Sequence, residues 1–186
     1  ELEWRGAINQ QTDAEGLYKL VDQKSISLYC GIDPTGDSMH IGHLIPFMIL
    51  KRFQLAGHHP VILIGGGTGA IGDPSGRTTE RVLQTAEQVK HNADSLTAQM
   101  KKLFGEDGSF TMMNNYDWLS KISLLDFLRD YGKLFNINTM LAKDVVASRM
   151  ETGISFTEFS YQILQSIDYK MLYEKCGVQL QIGGAD

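Results

Sequence analysis

The chain has 186 residues, a length that suits one domain with a substantial core and is short for two. Apolar residues make up 42% and charged residues 21%, which is a globular composition and excludes a disordered chain. The 17 basic and 22 acidic residues give a formal net charge of −5, which argues against a simple basic nucleic-acid-binding module.

Several features predict a protein of the reducing cytoplasm with no membrane partner. No apolar stretch approaches the ~20 residues that a membrane-spanning helix needs, and the polar start of the chain does not look like a secretory leader. Two cysteines, Cys30 and Cys176, are too few for a disulfide framework.

The first half of the chain alternates between helix and strand patterns. Apolar residues at helical spacing predict short helices within 1–25, and an apolar run predicts a strand at 26–31. A helix is expected next, ending at Leu55 before Gly57. The continuous apolar run 60–64 predicts a strand covered on both faces. A glycine-rich loop (65–76) and a long amphipathic helix (82–103) follow it.

The second half begins with a short strand candidate at 110–113. Residues 118–150 have the pattern of several short helices and are interpreted as an insertion. Ser155 and Glu158 match a capping box, which predicts a helix to about residue 175, and alternation predicts a final strand at 178–182. Strands that alternate with helices and end near glycines predict a doubly wound parallel α/β sheet of the Rossmann-like type. Because the last strand ends where the chain does, we expect a longer parent protein.

Two histidines, His40 and His43, lie where the loop after the first strand enters a helix. The start of a helix presents free N–H groups and partial positive charge, which favour phosphate. Gly42, between the histidines, lets a flat ligand such as a purine lie against the backbone. A satisfied histidine pair remains the alternative, and a metal site lacks an evident third ligand.

The loop 65–76 contains Gly67, Gly69 and Gly72, which satisfy G-x-G-x-x-G. A dinucleotide site is rejected because residues 73–76 interrupt the motif before any helix, and no Gly-Lys-Ser/Thr of a P-loop follows. Asp73 is placed to meet an ammonium group or to form a turn. Arg77 and Arg81 are either ligands of a phosphate chain or solvated charges.

Tyr161, Gln165 and Asp168 have the spacing i, i+4, i+7, which puts them on one face of the helix that follows Ser155. Polar groups beside a core face need partners, and a small polar ligand would supply them. An ordinary exposed stripe is the alternative interpretation.

Together these motifs resemble the bacterial tyrosyl-tRNA synthetases, which are class I aminoacyl-tRNA synthetases. The resemblance covers the whole chain in order. The HIGH motif (40–43) alone indicates only a class I synthetase or a related nucleotidyltransferase. The helix with Tyr161, together with Tyr29 and the loop 72–76, narrows the resemblance to the tyrosyl enzymes. The runs that carry it are Tyr29-Cys30-Gly31-Ile32-Asp33-Pro34-Thr35, His40-Ile41-Gly42-His43, Gly72-Asp73-Pro74-Ser75-Gly76, Ser155-Phe156-Thr157-Glu158-Phe159-Ser160-Tyr161 with Gln165 and Asp168, and Gln181-Ile182-Gly183-Gly184.

The resemblance implies activation of L-tyrosine with Mg-ATP to tyrosyl-adenylate, and transfer of the tyrosyl group to tRNA(Tyr). It implies no prosthetic group and no protein-bound metal site. Its catalytic residues would be Thr35 and His40 at the γ-phosphate, His43 at the nucleotide, and Arg77 and Arg81 at the pyrophosphate.

The remaining site residues also follow from the resemblance. Tyr29 and Asp168 would bind the phenolic hydroxyl of tyrosine. The α-ammonium group would be bound by Asp73, Tyr161 and Gln165. The adenylate would contact Cys30, Gly31, Asp33, His43, Gly184 and Asp186.

The resemblance also divides the chain. Residues 1–25 would be an N-terminal helical segment, 26–107 the first half of the nucleotide-binding domain, 108–150 a helical connective insertion that forms a homodimer, and 151–186 the start of the second half. The KMSKS loop and the tRNA-binding domains would be absent, so the chain alone would be weakly active or inactive. Two departures are Pro46 inside a helix and Ala185, where many relatives carry serine. A tryptophanyl-tRNA synthetase-like enzyme and a truncated, non-catalytic paralogue are the alternatives.

Overall fold

The computed structural model of the protein describes residues 1–72 and 84–184. Within them, four parallel strands form one sheet: β1 (Ser27–Ile32), β2 (His59–Ile64), β3 (Thr111–Asn114) and β4 (Val178–Gln181). Their order is β3-β2-β1-β4, so the chain builds outward from β1 through β2 to β3 and then returns to the other side of β1. The predicted parallel α/β fold is confirmed, and β1 and β4 form the topological switch point at which such sheets bind ligands.

The long helices begin and end where local chemistry predicts. Helix α1 (Ala14–Gln23) is capped by Asp13, α2 (Ile41–Leu55) by His40, and α3 (Ala86–Phe104) by Thr85. Ser155 accepts a hydrogen bond from the Glu158 N–H at the start of α8 (Phe156–Cys176), and Gly177, at φ 63°, ends that helix. Pro46 lies inside α2, as the sequence indicated.

Four shorter α-helices of the described residues lie between β3 and α8. They are α4 (Tyr116–Leu119), α5 (Leu124–Asp126), α6 (Ile137–Leu141) and α7 (Asp144–Ala147). A π-helical turn (Phe127–Tyr131) and a 3₁₀ turn (Gly132–Leu134) connect α5 to α6. Strand β3 pairs with β2, so the segment 108–150 also contributes a strand to the sheet.

Two expectations from the sequence need correction. The N-terminal residues form a hydrogen-bonded turn and not a helix, because Gly6 adopts φ 63° and ends it. The capping box is half formed. The Ser155 hydroxyl caps the helix, but the Glu158 carboxylate binds Arg149 at 3.1 Å instead of returning to the cap.

Two apolar clusters cover the two faces of the sheet, because alternate residues of β1 and β2 point in opposite directions. The first includes Leu28 and Ile62 with side chains from α2 and α3. The second includes Tyr29 and Val61 with side chains from α4, α6 and α8. This double cover explains the continuous apolar run of β2. In the described ranges, no helix is long and apolar enough to cross a membrane.

Candidate active site

A cleft of about 1600 Å³ opens at the carboxyl ends of β1 and β4 and extends toward the N-terminal segment. Of the site residues predicted from the sequence and described by the structure, all except His40 line it. They are Tyr29, Cys30, Gly31, Asp33, Thr35, His43, Tyr161, Gln165, Asp168 and Gly184. The predictions for Asp73, Arg77, Arg81, Ala185 and Asp186 fall outside the described residues.

Asp33, just after β1, connects three elements at the floor of the cleft. One carboxylate oxygen accepts a hydrogen bond from the Thr68 hydroxyl at 2.6 Å, and the other accepts from the Tyr161 hydroxyl at 2.9 Å. Thr68 belongs to the glycine-rich loop and Tyr161 to α8. The end of β1 is therefore fixed to both walls of the cleft.

The glycines after β2 are explained by close packing against neighbouring loops. A Cβ at Gly65 would overlap the Asp33 carboxylate, and a Cβ at Gly69 would lie 2.8 Å from Pro34 Cδ. The described part of this loop turns through a short 3₁₀ segment (Thr68–Ala70). The loop therefore differs from a dinucleotide-binding turn, which opens directly into an α-helix.

The carboxyl group of Asp168 lies at the inner end of the cleft and is only 3% exposed. It accepts hydrogen bonds from Asn115 Nδ2 at 2.9 Å and from Trp118 Nε1 at 2.8 Å. Burial raises the pKa of Asp168 to about 6, the two donors oppose that rise, and the nearby charge of Asp33 adds to it. A carboxyl group held in this way suits a ligand hydroxyl as its further partner.

Asn115 holds this end of the cleft together, and sequence reasoning missed it along with Thr68 and Trp118. Its fully buried amide donates to Thr68 Oγ1 at 3.0 Å and to Asp168, and its oxygen accepts from the Gly67 N–H at 2.7 Å. The sequence could have predicted its place at the site, because Asn115 directly follows β3 and the carboxyl ends of parallel strands meet at one edge of the sheet.

Tyr29 lies on β1 and is buried beside the same pocket. Its ring packs edge-on against Tyr169, with the ring centroids 5.7 Å apart and the planes at 71°. This edge-to-face packing against α8 fixes the orientation of the Tyr29 ring at the cleft wall.

His40 is the cap of α2. Its Nδ1 accepts from the Gly42 N–H at 3.1 Å and from the His43 N–H at 3.4 Å, so Nε2 carries the proton and is the donor atom of the ring. A Cβ at Gly42 would lie 3.0 Å from His40 Cε1, so the absence of a side chain there accommodates the capping ring.

His43 stacks on His40, with ring centroids 3.6 Å apart. Burial, and then the proximity of His40, lower the pKa of His43 below its usual value. His43 Nδ1 is buried and has no hydrogen-bond partner within residues 1–72 and 84–184. The lowered pKa favours a neutral imidazole, and His43 lines the cleft.

No group of three or more metal-ligating side chains occurs in the part of the chain that the structure describes. Cys30 is buried and Cys176 is half-buried, and no disulfide joins them.

The fold and the cleft define a parallel α/β protein with an open cleft at the switch point between β1 and β4 and a histidine-capped helix on one side. Residues 21–186 match the family model described as tRNA synthetases class I (W and Y). The chain belongs to this family.

Individual relatives agree with the assignment. Tyrosine–tRNA ligase 1 of Enterococcus faecalis and the tyrosine–tRNA ligase of Latilactobacillus sakei are each 77% identical over 186 residues. These alignments cover 100% of this chain and 44% of each relative, so the chain spans less than half the length of these proteins.

Solved structures give the same result. The C-terminally truncated mitochondrial tyrosyl-tRNA synthetase of Aspergillus nidulans superposes with a TM-score of 0.85 at 37% identity, over 94% of this chain and 53% of that one. The tryptophanyl-tRNA synthetase of Plasmodium falciparum has a TM-score of 0.60 at 18% identity, over 83% of this chain and 40% of that one. At that identity the second likeness shows the fold alone.

Proposed function

We propose that this chain carries the amino-acid and ATP site of a tyrosine–tRNA ligase. The reaction joins the carboxylate of L-tyrosine to the α-phosphate of ATP and releases pyrophosphate. The complete protein then transfers the tyrosyl group to tRNA(Tyr). The observation that carries the proposal is the buried Asp168 carboxyl group, which is held by Asn115 and Trp118 at the inner end of the cleft.

This end of the cleft suits a phenol. The phenolic hydroxyl is proposed to meet Asp168 and Tyr29, which both line the cleft and are buried. Gln165 and Tyr161, one and two turns before Asp168 on α8, are proposed to bind the α-ammonium group together with Asp73. In this arrangement the bound tyrosine lies along α8. Its hydroxyl is near Asp168, and its ammonium group is near Tyr161 and Gln165.

The nucleotide is proposed to lie over the carboxyl ends of β1 and β4. Cys30, Gly31, Asp33 and Gly184 line the cleft there, and Asp186 is expected beside them. His40 donates from Nε2 to the phosphates, Thr35 assists at the γ-phosphate, and His43 contacts the nucleotide. Mg²⁺ enters with ATP as part of the substrate, and no prosthetic group is proposed.

The protein's contribution to this chemistry is positioning and charge stabilisation. The tyrosine carboxylate must lie in line with the bond that breaks between the α- and β-phosphates. Developing charge on the phosphates is stabilised by the start of α2 and its histidines, and Arg77 and Arg81 are proposed to hold the departing pyrophosphate.

Binding of L-tyrosine against L-phenylalanine by calorimetry tests the proposal. Phenylalanine leaves buried polar groups of the pocket unpaired, at about 2 kcal/mol or more in total, so it should bind about 30-fold more weakly or worse. Equal binding of the two amino acids overturns the phenol assignment, and preferential binding of L-tryptophan indicates the tryptophanyl alternative. The complete protein should also exchange pyrophosphate into ATP only when tyrosine is present.

A homodimer through the segment 108–150 is part of the proposal. Large apolar side chains are strongly exposed there, which is typical of a surface that binds another protein. They include Leu124, Leu125, Leu128, Leu134 and Ile137. The cytoplasm is the proposed location, and two cysteines that form no disulfide, Cys30 and Cys176, suit its reducing conditions.

A further inference from the structure

The loop between β1 and α2 carries Thr35 and leads directly into His40, yet it has little regular structure. Residues 35–38 are exposed, and 33–40 contain neither helix nor strand. A loop of this kind needs other contacts to hold a catalytic geometry. Side-chain amides on α3, and one just before it, supply them.

Gln99, on α3, binds the end of the loop on two sides. Its oxygen accepts from the Met39 N–H at 3.0 Å, and its Nε2 donates to the Asp37 carbonyl at 2.8 Å and to the Ser95 carbonyl at 3.2 Å. Met39 immediately precedes His40, and its side chain packs on the first core cluster. Contacts with α3 therefore fix the position of His40, the cap of α2.

Asn92, two turns earlier on the same face of α3, binds the start of the loop. It is 1% exposed, and its Nδ2 donates to the Pro34 carbonyl at 3.0 Å and to Gln84 Oε1 at 3.2 Å. Gln84 in turn donates to the Thr35 carbonyl at 2.9 Å. Three amides, Gln84, Asn92 and Gln99, thus contact the backbone of four loop residues; we call them the amide clamp.

We propose that Asn92 and Gln99 are positioning residues that hold Thr35 and His40 at the phosphates of ATP during tyrosine activation. This inference rests on the proposed function. Because the clamp grips backbone atoms and not the ligand, it acts on the geometry of the reacting phosphates and leaves the tyrosine pocket alone. Misplacing such groups by a fraction of an ångström lowers the rate of the chemical step more than it changes substrate binding.

The test uses the complete protein with Gln99→Met and, separately, Asn92→Leu. Both side chains keep their approximate size and lose their hydrogen bonds to the loop. Gln54→Met is the matched control. Gln54 is also a half-buried amide on a long helix, and its Nε2 donates to the Phe104 carbonyl and to Ser109, away from the loop.

Two measurements are made. In tyrosine-dependent pyrophosphate exchange, Gln99→Met should lower kcat about tenfold and leave the KM for tyrosine within about twofold. Amide hydrogen exchange, followed by mass spectrometry on peptides covering 33–43, should accelerate in both clamp variants. Gln54→Met should change neither, even where its thermal stability falls by a similar amount.

The outcomes separate the clamp from the proposed function. If the wild-type protein exchanges pyrophosphate but Gln99→Met behaves like Gln54→Met in both measurements, the clamp is overturned and the proposed function stands. Absence of exchange in the wild-type protein overturns both. Should Asn92→Leu fail to fold, the half-buried Gln99 still decides the matter.

Discussion

At the scale of one residue, the burial of Asp168 raises its pKa and makes stability depend on pH. The pKa of Asp168 is about 6 in the folded protein and near 3.8 in the unfolded chain, so between these values the folded state holds a proton that the unfolded state has released. The free energy of unfolding therefore falls as the pH rises from about 4 to about 6.

The variant Asp168→Asn removes this titration. We expect the stability advantage of the wild type over the variant to shrink by about 2 kcal/mol between pH 4 and pH 7. Urea unfolding of both proteins across this range measures the effect. Parallel profiles would show that the Asp168 carboxyl group titrates normally in the folded protein.

Trp118 donates its indole N–H to Asp168, and Trp118→Phe deletes that bond while keeping most of the ring. We expect a loss of about 2 kcal/mol in the free energy of unfolding, because a buried carboxyl group loses one of its two donors. The matched control is Trp4→Phe, since Trp4 is 83% exposed and Trp118 only 5%. Chemical denaturation at pH 7 compares the two, and equal losses would contradict the role given to the bond.

At the scale of elements, a buried ion pair fixes the start of α8. Arg149 Nη2 lies 3.1 Å from Glu158 Oε2, and both side chains are almost fully buried. The pair ties the loop after α7 to the first turn of the helix that carries Tyr161, Gln165 and Asp168.

Removing one partner leaves a buried charge without its counterion. We expect Arg149→Met to cost about 3–5 kcal/mol in the free energy of unfolding, and the double variant Arg149→Met, Glu158→Met to recover most of that loss. Lys170→Met breaks a half-exposed pair with Glu174 and should cost about 0.5 kcal/mol or less. A double variant that is no more stable than Arg149→Met would contradict the desolvation argument.

The junction of β1 with the glycine-rich loop is tested by Gly65→Ala. The new methyl group would displace the Asp33 carboxylate and break its bonds to Thr68 and Tyr161. We expect calorimetry to show ATP binding weakened about tenfold or more, since two hydrogen bonds that shape the cleft are lost. Gly36→Ala is the control, because no atom lies within 4 Å of a Cβ there and that variant should bind as the wild type does.

At the scale of the whole molecule, the exposed apolar residues of 108–150 are proposed to pair two copies. We expect the complete protein to sediment as a dimer at micromolar concentration, and Leu125→Glu to shift it toward the monomer. Leu55→Glu is the control, since Leu55 is 76% exposed on α2 and Leu125 75% exposed. A monomeric wild type, or an equal response of both variants, would contradict the proposed interface.

The sequence by itself determined the fold class and most of the cleft. Strand and helix patterns depend on neighbouring residues, so β1, β2, α2 and α8 were predicted close to their observed bounds. Asp33 and Thr35 were assigned through the resemblance to the tyrosyl-tRNA synthetases, and both follow β1 at the edge where parallel sheets bind ligands. The spacing of Tyr161, Gln165 and Asp168 on one helix was equally local information.

Only the tertiary structure decided which side chains meet across elements. Asn115 contacts Thr68 and Asp168 across separations of 47 and 53 residues, and Asn92 contacts Pro34 across 58. No local pattern encodes such pairs, because they depend on strand order and on how α3, α4 and α8 pack on the sheet. The tertiary structure also decides the partner of Glu158. Its carboxylate binds the buried Arg149 and does not return to the helix cap.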